Sequence, residues 1–252
     1  MRIMANNQIS AVSMTTENSN YPATNLLNRH PRKYALSTAS TTKITCTIGE
    51  GVGAFGLFNT NALEATITLK SGAGSTLASQ FYDLSGIIDY WTAVQDITDL
   101  HYSIWFDYGD YYQSAVHTVE VDLDTTNPAA PVYAGVTFAD TTRSFENGIE
   151  YGVTESLVDY SIVKELSNGS YYYRKRDVVK NFKCKATLGL SNRDFYTFIN
   201  GIAQSVGPSP VACRLTDLND IDWTIYGKLS SVQGSHDFYD HAVTTFDILE
   251  VV

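Results

Sequence analysis

The stretch Lys43-Ile44-Thr45-Cys46-Thr47-Ile48-Gly49, the apolar run from Val52 to Phe58 and the segment Ala65-Thr66-Ile67-Thr68-Leu69-Lys70 follow one another closely in the chain. In the first and third segments, apolar side chains alternate with polar ones. A period of two is typical of a strand with one buried face, and a short continuous apolar run fits a strand buried on both faces. These residues therefore predict three consecutive β-strands.

Short strand patterns continue on both sides of this stretch. They are Gln8 to Met14, Tyr102 to Phe106, Val116 to Leu123 and Tyr133 to Phe138. Short strands separated by turn signals favour a sandwich or a jelly roll. We therefore predict an N-terminal jelly-roll or β-sandwich domain over residues 1–150, because residues 140–152 lose the clean periodicity.

The last hundred residues mix strands with one helical pattern. Asn168-Gly169 between Tyr160–Leu166 and Tyr171–Arg176 predicts a hairpin, because both central turn residues need positive φ. The helical pattern has apolar residues at i, i+3, i+4, i+7, i+8 and i+11, which are Phe195, Phe198, Ile199, Ile202, Ala203 and Val206. Ser191 suits the N-cap and Gly207-Pro208 suits the end, so we predict a helix over residues 191–206.

Strand patterns flank this helix at Phe182 to Leu190, Val211 to Leu215, Trp223 to Leu229 and Ala242 to Val251. The sequence thus predicts a mainly β protein. Its N-terminal jelly-roll or β-sandwich is followed, over residues 151–252, by a smaller β domain that carries one amphipathic helix.

Composition narrows the function classes. The chain of 252 residues has a formal net charge of −10, which argues against nucleic acid as a partner. No apolar run approaches the roughly 18 residues of a membrane span, and the N-terminus lacks the apolar core of a signal peptide. We therefore expect no nucleic-acid partner, no membrane span, and synthesis in a cytoplasm without export by that route.

The residue types that commonly carry out catalysis or bind metals form no recognisable motif in this chain. Three cysteines make no CxxC pair, and His236 and His241 stand five apart, on opposite faces of an extended segment. No nucleophile elbow, P-loop or dinucleotide fingerprint is present. We therefore predict no catalytic residue, no metal site and no cofactor. Abundant acids such as Asp83, Asp89, Asp96 and Asp99 still leave a glycan-degrading enzyme as an alternative hypothesis.

Two aromatic segments are candidate binding sites. The first contains Tyr171, Tyr172, Tyr173, Arg174 and Arg176. Tyr and Arg dominate protein interfaces, so we interpret it as an interface and keep base stacking as the alternative. The second is the loop with Tyr108, Tyr111 and Tyr112, which predicts a glycan or partner site because Tyr offers apolar area with a polar tip. The alternative is a loop folded onto its own domain.

Three stretches together resemble tail proteins of tailed bacteriophages. Tyr21-Pro22-Ala23-Thr24-Asn25-Leu26-Leu27-Asn28, with residues 43–49 and 52–61, is similar to an opening of the form YPA-x-NLL … I-x-I-x-x-G … A-x-G-L-x-x-x-N. That opening belongs to a domain similar to discoidin or galactose-binding jelly rolls. Residues 151–161, and the segment from Gly169 through Arg176 to Val211, resemble the second half of the same proteins.

The resemblance implies a structural virion protein of a phage tail tip or baseplate, made in the host bacterial cytoplasm. Its C-terminal part would resemble tail-tube and distal-tail folds, which assemble as rings. The implied partners are copies of the chain, a homo-oligomer, and other tail proteins such as tube, hub, tape measure or fibre. The alternative function is a carbohydrate-binding module that recognises a glycan on the host surface.

Overall fold

The computed structural model describes residues 1–84, 102–109, 115–126, 130–144, 153–167, 169–176, 178–189, 201–202, 204–215, 224–235 and 241–251. Strands dominate these residues, which confirms the prediction of a mainly β protein. The first eleven strands are β1 Arg2–Met4, β2 Ile9–Met14, β3 Ala35–Leu36, β4 Thr41–Ile48, β5 Ala54–Thr60, β6 Glu64–Lys70, β7 Thr76–Asp83, β8 Tyr102–Asp107, β9 His117–Asp124, β10 Tyr133–Asp140 and β11 Arg143–Ser144.

The remaining strands are β12 Thr154–Asp159, β13 Ile162–Glu165, β14 Tyr171–Arg174, β15 Val178–Gly189, β16 Pro210–Arg214, β17 Thr224–Ser235 and β18 His241–Glu250. A 3-10 helix spans Ala23–Leu27, and a short α-helical segment, α1, spans Gln204–Val206. No helix in the described part of the chain is long and apolar enough to cross a membrane.

The chain folds as two compact units. The first comprises Arg2–Arg143 and Ala212–Ile225, and the second comprises Met1, Ser144–Val211 and Tyr226–Val252. The predicted domains 1–150 and 151–252 stay a prediction.

The first unit contains two antiparallel sheets. One has five strands in the order β2-β4-β9-β6-β7, and the other has four in the order β3-β10-β5-β8. A single apolar core draws side chains from both, including Ile44, Ile67 and Val121 from the first and Phe55 and Ile104 from the second. Because apolar faces of two sheets bury each other, this arrangement is a β-sandwich, as predicted.

Alternation along the strands decides which face of the five-stranded sheet is buried. In β4, Ile44, Cys46 and Ile48 are fully buried while the residues between them are half-buried. Strands β6 and β9 repeat this pattern. The polar residues of the three strands therefore share the opposite, outer face of the sheet.

The apolar strand β5 is buried on both faces, as its continuous apolar pattern predicts. Gly56 lies close to the side chains of Phe58 and Met4. A Cβ at this position would lie 2.6 Å from Cε2 of Phe58 and 3.3 Å from Cε of Met4. Only glycine leaves room for both side chains, because Phe58 and Met4 are themselves almost fully buried.

The buried carboxylate of Asp140 fastens the N-terminal arm at the end of β10. Its Oδ2 accepts the backbone N–H groups of Ala5 at 2.9 Å and Asn6 at 2.8 Å, and its Oδ1 accepts the side-chain amide of Gln8 at 2.6 Å. The backbone N–H of Gln8 also donates to the carbonyl of Ala139 at 2.8 Å. The arm is thereby fixed before β2 begins.

The second unit contains long antiparallel strands. Strand β18 pairs with β15 on one side and with β17 on the other, and β12 pairs with β15. Strands β13 and β14 form a separate two-stranded hairpin, as predicted. Of the predicted helix 191–206, residues 191–200 and 203 lie outside the described residues, while Gln204–Val206 is helical.

Strand β7 is the longer of two described sandwich strands that the sequence pattern misses, the other being the two-residue β3. Strand β7 lies at the edge of the five-stranded sheet and pairs with β6. Most of its side chains are exposed on both faces. Its inward residues Ala78 and Tyr82 are only partly buried, so the strand lacks the clear alternation by which strands are recognised in a sequence.

Candidate functional site

A row of four outward-facing side chains crosses the outer face of the five-stranded sheet. Lys43 stands opposite Asp122, Asp122 opposite Thr66, and Thr66 opposite Phe81, each on the next strand. Three strand spacings of about 4.8 Å make this row about 14 Å long. The row presents a cation, a carboxylate, a hydroxyl and an aromatic ring in sequence.

This row runs through an open groove of about 450 Å³. Five threonines line the groove besides the row's charged residues: Thr15, Thr16, Thr41, Thr42 and Thr66. The hydroxyl of Thr16 donates to that of Thr42 at 2.9 Å, which fixes two of these side chains relative to each other. Short, stiff hydroxyl side chains of this kind offer donors and acceptors with little rotational freedom.

Phe81 provides the apolar surface of the groove. Its side chain is 59% exposed, although a phenylalanine on an edge strand could turn into a core. Its neighbour Tyr82 does turn inward, packs against the core and donates its hydroxyl to the carbonyl of Trp105 at 2.8 Å. The alternation of β7 therefore holds the Phe81 ring on the outer face, open to solvent.

The positive end of the row is held by a network of charges. Glu120 accepts from Lys70 Nζ at 2.6 Å and from Lys43 Nζ at 3.2 Å, and Lys43 Nζ lies 3.4 Å from Asp122 Oδ1. The hydrogen bond from Lys70, followed by that from Lys43, lowers the pKa of Glu120 below its ordinary value. The hydrogen bond to Glu120 correspondingly raises the pKa of Lys43. The network fixes where Lys43 and Asp122 stand in the groove.

We expect a Glu120→Gln substitution to lower the free energy of unfolding by about 1 kcal/mol at neutral pH. Because the folded-state pKa of Glu120 is depressed, its contribution is complete above the unfolded value of about 4.5 and is lost as the pH falls below it. Urea denaturation of both chains at several pH values measures the difference. If the difference in free energy of unfolding between the two chains is unchanged at pH 3, the charge of Glu120 is not the source of that difference.

A second row, next to the first, is strongly acidic. Asp124 stands opposite Glu64, and Glu64 stands opposite Asp83, on three adjacent strands. Like charges directly opposite each other in a sheet repel. The groove is therefore bordered by an acidic row next to the paired charges of the Lys43 network.

One residue of the predicted aromatic loop site, Tyr108, is buried. Tyr108 is 3% exposed, packs on the core, and its hydroxyl lies 3.2 Å from His117 Nε2. A ring in this position cannot stack on a ligand that arrives from solvent, so Tyr108 is removed from the predicted site. Burial raises the pKa of Tyr108, which keeps its hydroxyl neutral. Tyr111 and Tyr112 lie outside the described residues.

The predicted interface residues are all exposed. Tyr171, Tyr172, Tyr173 and Arg174 form β14, and Arg176 follows it. They belong to the second unit, and the groove belongs to the first. The prediction that they contact a partner stays a prediction.

The cysteines occupy buried positions, as expected for small apolar side chains. Burial raises the pKa of both Cys46 and Cys184 to about 12, so neither is a thiolate at neutral pH. Within the described residues, no cluster of three or more His, Cys, Asp or Glu side chains is placed to hold a metal ion. Of the acids weighed for glycan cleavage, Asp83 lies in β7, while Asp89, Asp96 and Asp99 lie outside the described residues.

The sequence singled out none of the groove residues. Lys43, Thr66 and Asp122 could be recognised as outward positions of their strands, because each sits between buried neighbours. Their alignment in one row depends on the strand register, which pairs residues up to 79 positions apart (Lys43 with Asp122). A single sequence contains no signal for that register.

Comparison with known proteins gives only distant likenesses. No family model matches the chain, and no curated protein matches it. Similar solved structures include a His 62 mutant of the lectin binding domain of Lectinolysin complexed with Lewis b (TM-score 0.39, 12% identity, 55% of this chain, 97% of that chain). A Streptococcus pneumoniae fucose binding module, SpX-3, has a TM-score of 0.36 and 9% identity, over 53% of this chain and 96% of the module.

A third similar structure is reduced XRCC1 bound to the catalytic domain of DNA polymerase beta, with a TM-score of 0.38 and 12% identity over 56% of this chain and 99% of that chain. None of the three is a phage tail protein, and they differ in what they bind. At these TM-scores the likenesses assign no function, so the functional argument rests on the groove itself.

Proposed function

We propose that this chain is a carbohydrate-binding protein that holds a glycan in the groove on the outer face of its five-stranded sheet. The observation that carries the proposal is the row Lys43–Asp122–Thr66–Phe81, an aromatic ring in line with fixed polar groups. Binding sites for small molecules typically combine an apolar surface with a few placed polar groups. The row is as long as a short oligosaccharide.

Each part of the row suits one part of a sugar ring. The exposed face of Phe81 can pack against the apolar C–H face of a pyranose. Asp122 can accept two sugar hydroxyls, and the hydroxyl of Thr66 can both donate and accept. Lys43, held by Glu120, can donate to a ring or hydroxyl oxygen at the far end. Hydrogen bonds to charged groups are the stronger ones, which favours Asp122 as the anchor.

The same geometry supports binding rather than cleavage. A glycosidase needs one carboxyl group with a raised pKa, which acts as the general acid. In the network beside the groove, the pKa of Glu120 is instead lowered by its two lysines, and Asp122 lies beside Lys43. The carboxylate of Glu120 therefore stays ionised at neutral pH and accepts hydrogen bonds.

The groove predicts a sharp effect of Phe81→Ala on glycan affinity. We expect a glycan identified by array screening to bind the parent chain with a measurable Kd. Phe81→Ala should weaken that binding at least about tenfold, or about 1.4 kcal/mol. Asp122→Ala should weaken it comparably, and Phe81→Tyr, which keeps the ring, should retain most of the affinity. Isothermal titration calorimetry on the purified chains measures each Kd.

Leu157→Ala is the matched control, because Leu157 is 68% exposed but lies in β12 of the second unit, outside both the groove and the hairpin β13–β14. It should leave the affinity unchanged. The proposal fails if the array yields no glycan, or if a glycan binds with equal affinity to the parent chain and to both groove variants.

The second candidate function is the one that the phage resemblance implies, a structural protein of a virion tail tip or baseplate. The observation that favours it is the hairpin β13–β14, whose side chains are almost all exposed. Such a hairpin suits a protein that assembles with others. Purified virions that contain the chain in a fixed number of copies would support this candidate, and its absence from virions would exclude it.

A further inference from the structure

The hairpin β13–β14 with its flanking residues, 160–176, is called the basic hairpin, and its two strands pair over four residue pairs. Ile162 stands opposite Arg174, Val163 opposite Tyr173, Lys164 opposite Tyr172 and Glu165 opposite Tyr171. The turn is closed by hydrogen bonds from Leu166 N to the Ser170 carbonyl at 2.7 Å and from Gly169 N to the Leu166 carbonyl at 2.9 Å. Two-stranded hairpins without a packed face are at best marginally stable in water.

Large apolar side chains of the basic hairpin lie open to solvent on both of its faces. The most exposed are Tyr171 at 67%, Tyr173 at 60% and Val163 at 60%. Val163 and Tyr173 stand opposite each other, while Tyr172 and Ile162 belong to the other face. Single exposed apolar residues are common, but a contiguous set marks an interaction surface.

The charge of the basic hairpin is opposite to that of the rest of the chain. Lys164, Arg174, Lys175 and Arg176 against Glu165 give it a net charge of +3. Since the whole chain carries −10, the remaining residues carry −13. Opposite charges attract, so the basic hairpin is drawn to acidic surfaces, whereas the like charges of two hairpins repel each other.

The first unit has an acidic surface that complements the basic hairpin. Asp124, Glu64 and Asp83 stand opposite one another across three strands and repel. Cationic side chains placed against this row would relieve the repulsion. The exposed ring of Phe81, on the strand that carries Asp83, adds an apolar contact for a tyrosine.

We propose that the basic hairpin docks onto the acidic row of the five-stranded sheet in a second copy of this chain. Arg174 and Arg176 face the carboxylates of Glu64 and Asp124, and the hairpin tyrosines cover Phe81. The contact joins two different surfaces, so in a pair one copy keeps its acidic row and the other keeps its hairpin for further copies. Because Glu64, Asp124 and Phe81 also line the groove, docking and glycan binding exclude each other.

The first test is the mass of the full chain by light scattering after gel filtration, over a range of concentrations at about 50 mM and about 500 mM salt. We expect association at low salt that weakens at high salt, because screening reduces the attraction between exposed charges. A chain that stays monomeric at every concentration, or that associates equally at both salt concentrations, overturns the proposal.

A charge exchange between copies gives the decisive test. One chain carries Arg174→Glu and Arg176→Glu, and the other carries Glu64→Lys and Asp124→Lys. Each alone should be monomeric, whereas their equimolar mixture should associate, since the reversed hairpin of the first matches the reversed row of the second. Circular dichroism shows that each is folded. Association of either chain alone, or none in the mixture, contradicts the proposed contact.

This inference can fail without the proposed function failing. The hairpin variant Arg174→Glu with Arg176→Glu leaves the groove intact, so its glycan affinity tests the groove alone. If it binds glycan more tightly than the parent chain does at low salt, the two sites compete as proposed. Unchanged affinity, with the parent chain monomeric, removes the docking contact and leaves glycan binding in place.

Discussion

Replacement of Phe55 by alanine is expected to lower the free energy of unfolding by about 3–5 kcal/mol. Phe55 is fully buried in the core between the two sheets of the first unit. Its removal leaves a cavity that close-packed neighbours fill only in part, so lost transfer free energy and lost packing both contribute. Chemical denaturation followed by circular dichroism measures the change.

Phe81→Ala is the matched control for this prediction, because it makes the same change at a ring that is 59% exposed. We expect it to alter the stability by no more than about 0.5 kcal/mol. Together the two variants separate the phenylalanine that holds the sandwich from the one assigned to the ligand. Equal losses of stability would mean that Phe81 is part of the core and not of a binding surface.

Asp140→Ala is expected to lower the free energy of unfolding by about 2–4 kcal/mol, because it removes the acceptor of three donors at once. The N–H of Ala5 is buried, and those of Asn6 and the Gln8 side chain are partly buried. Most of the loss in stability comes from donors that are left without a hydrogen-bond partner and are shielded from water. The arm around Ala5 should also exchange its amide hydrogens faster, which mass spectrometry detects.

Asp122→Ala provides the comparison for Asp140, since the Asp122 side chain is 49% exposed. A stability change below about 1 kcal/mol is expected there, because an exposed ion pair contributes little. If Asp140→Ala lowers the stability as little as Asp122→Ala does, water replaces the carboxylate and the arm is held by its other contacts.

The sandwich could be predicted from the sequence because the apolar pattern of most of its strands matches the faces that are buried. In β4 and β9 every second residue is buried, and all of these except Thr42 and His117 are apolar. In β5 the apolar run matches burial on both faces. The hairpin could be predicted from local turn chemistry, and Gly169 indeed has a φ of +79°. In each case the physical cause lies within a few residues of its effect.

The sequence did not predict features whose causes lie far apart in the chain. Asp140 contacts residues about 135 positions away, and the row through Lys43 and Asp122 exists only once the register is set. Tyr108 was placed on a binding surface because an aromatic-rich loop has the same composition whether it faces solvent or the core. Its burial against His117 follows from the packing of the sandwich.

The central claim is that the outer face of the five-stranded sheet binds a glycan through the row from Lys43 to Phe81. The most direct measurement is a titration of the isotopically labelled chain with the array-selected glycan, followed through the amide shifts of the NMR spectrum. Glycan binding in the groove should give saturable shifts concentrated at Lys43, Thr66, Phe81 and Asp122, with none in β15 or β18 of the second unit. Shifts confined to other surfaces, or no saturable shifts with any glycan, would contradict it.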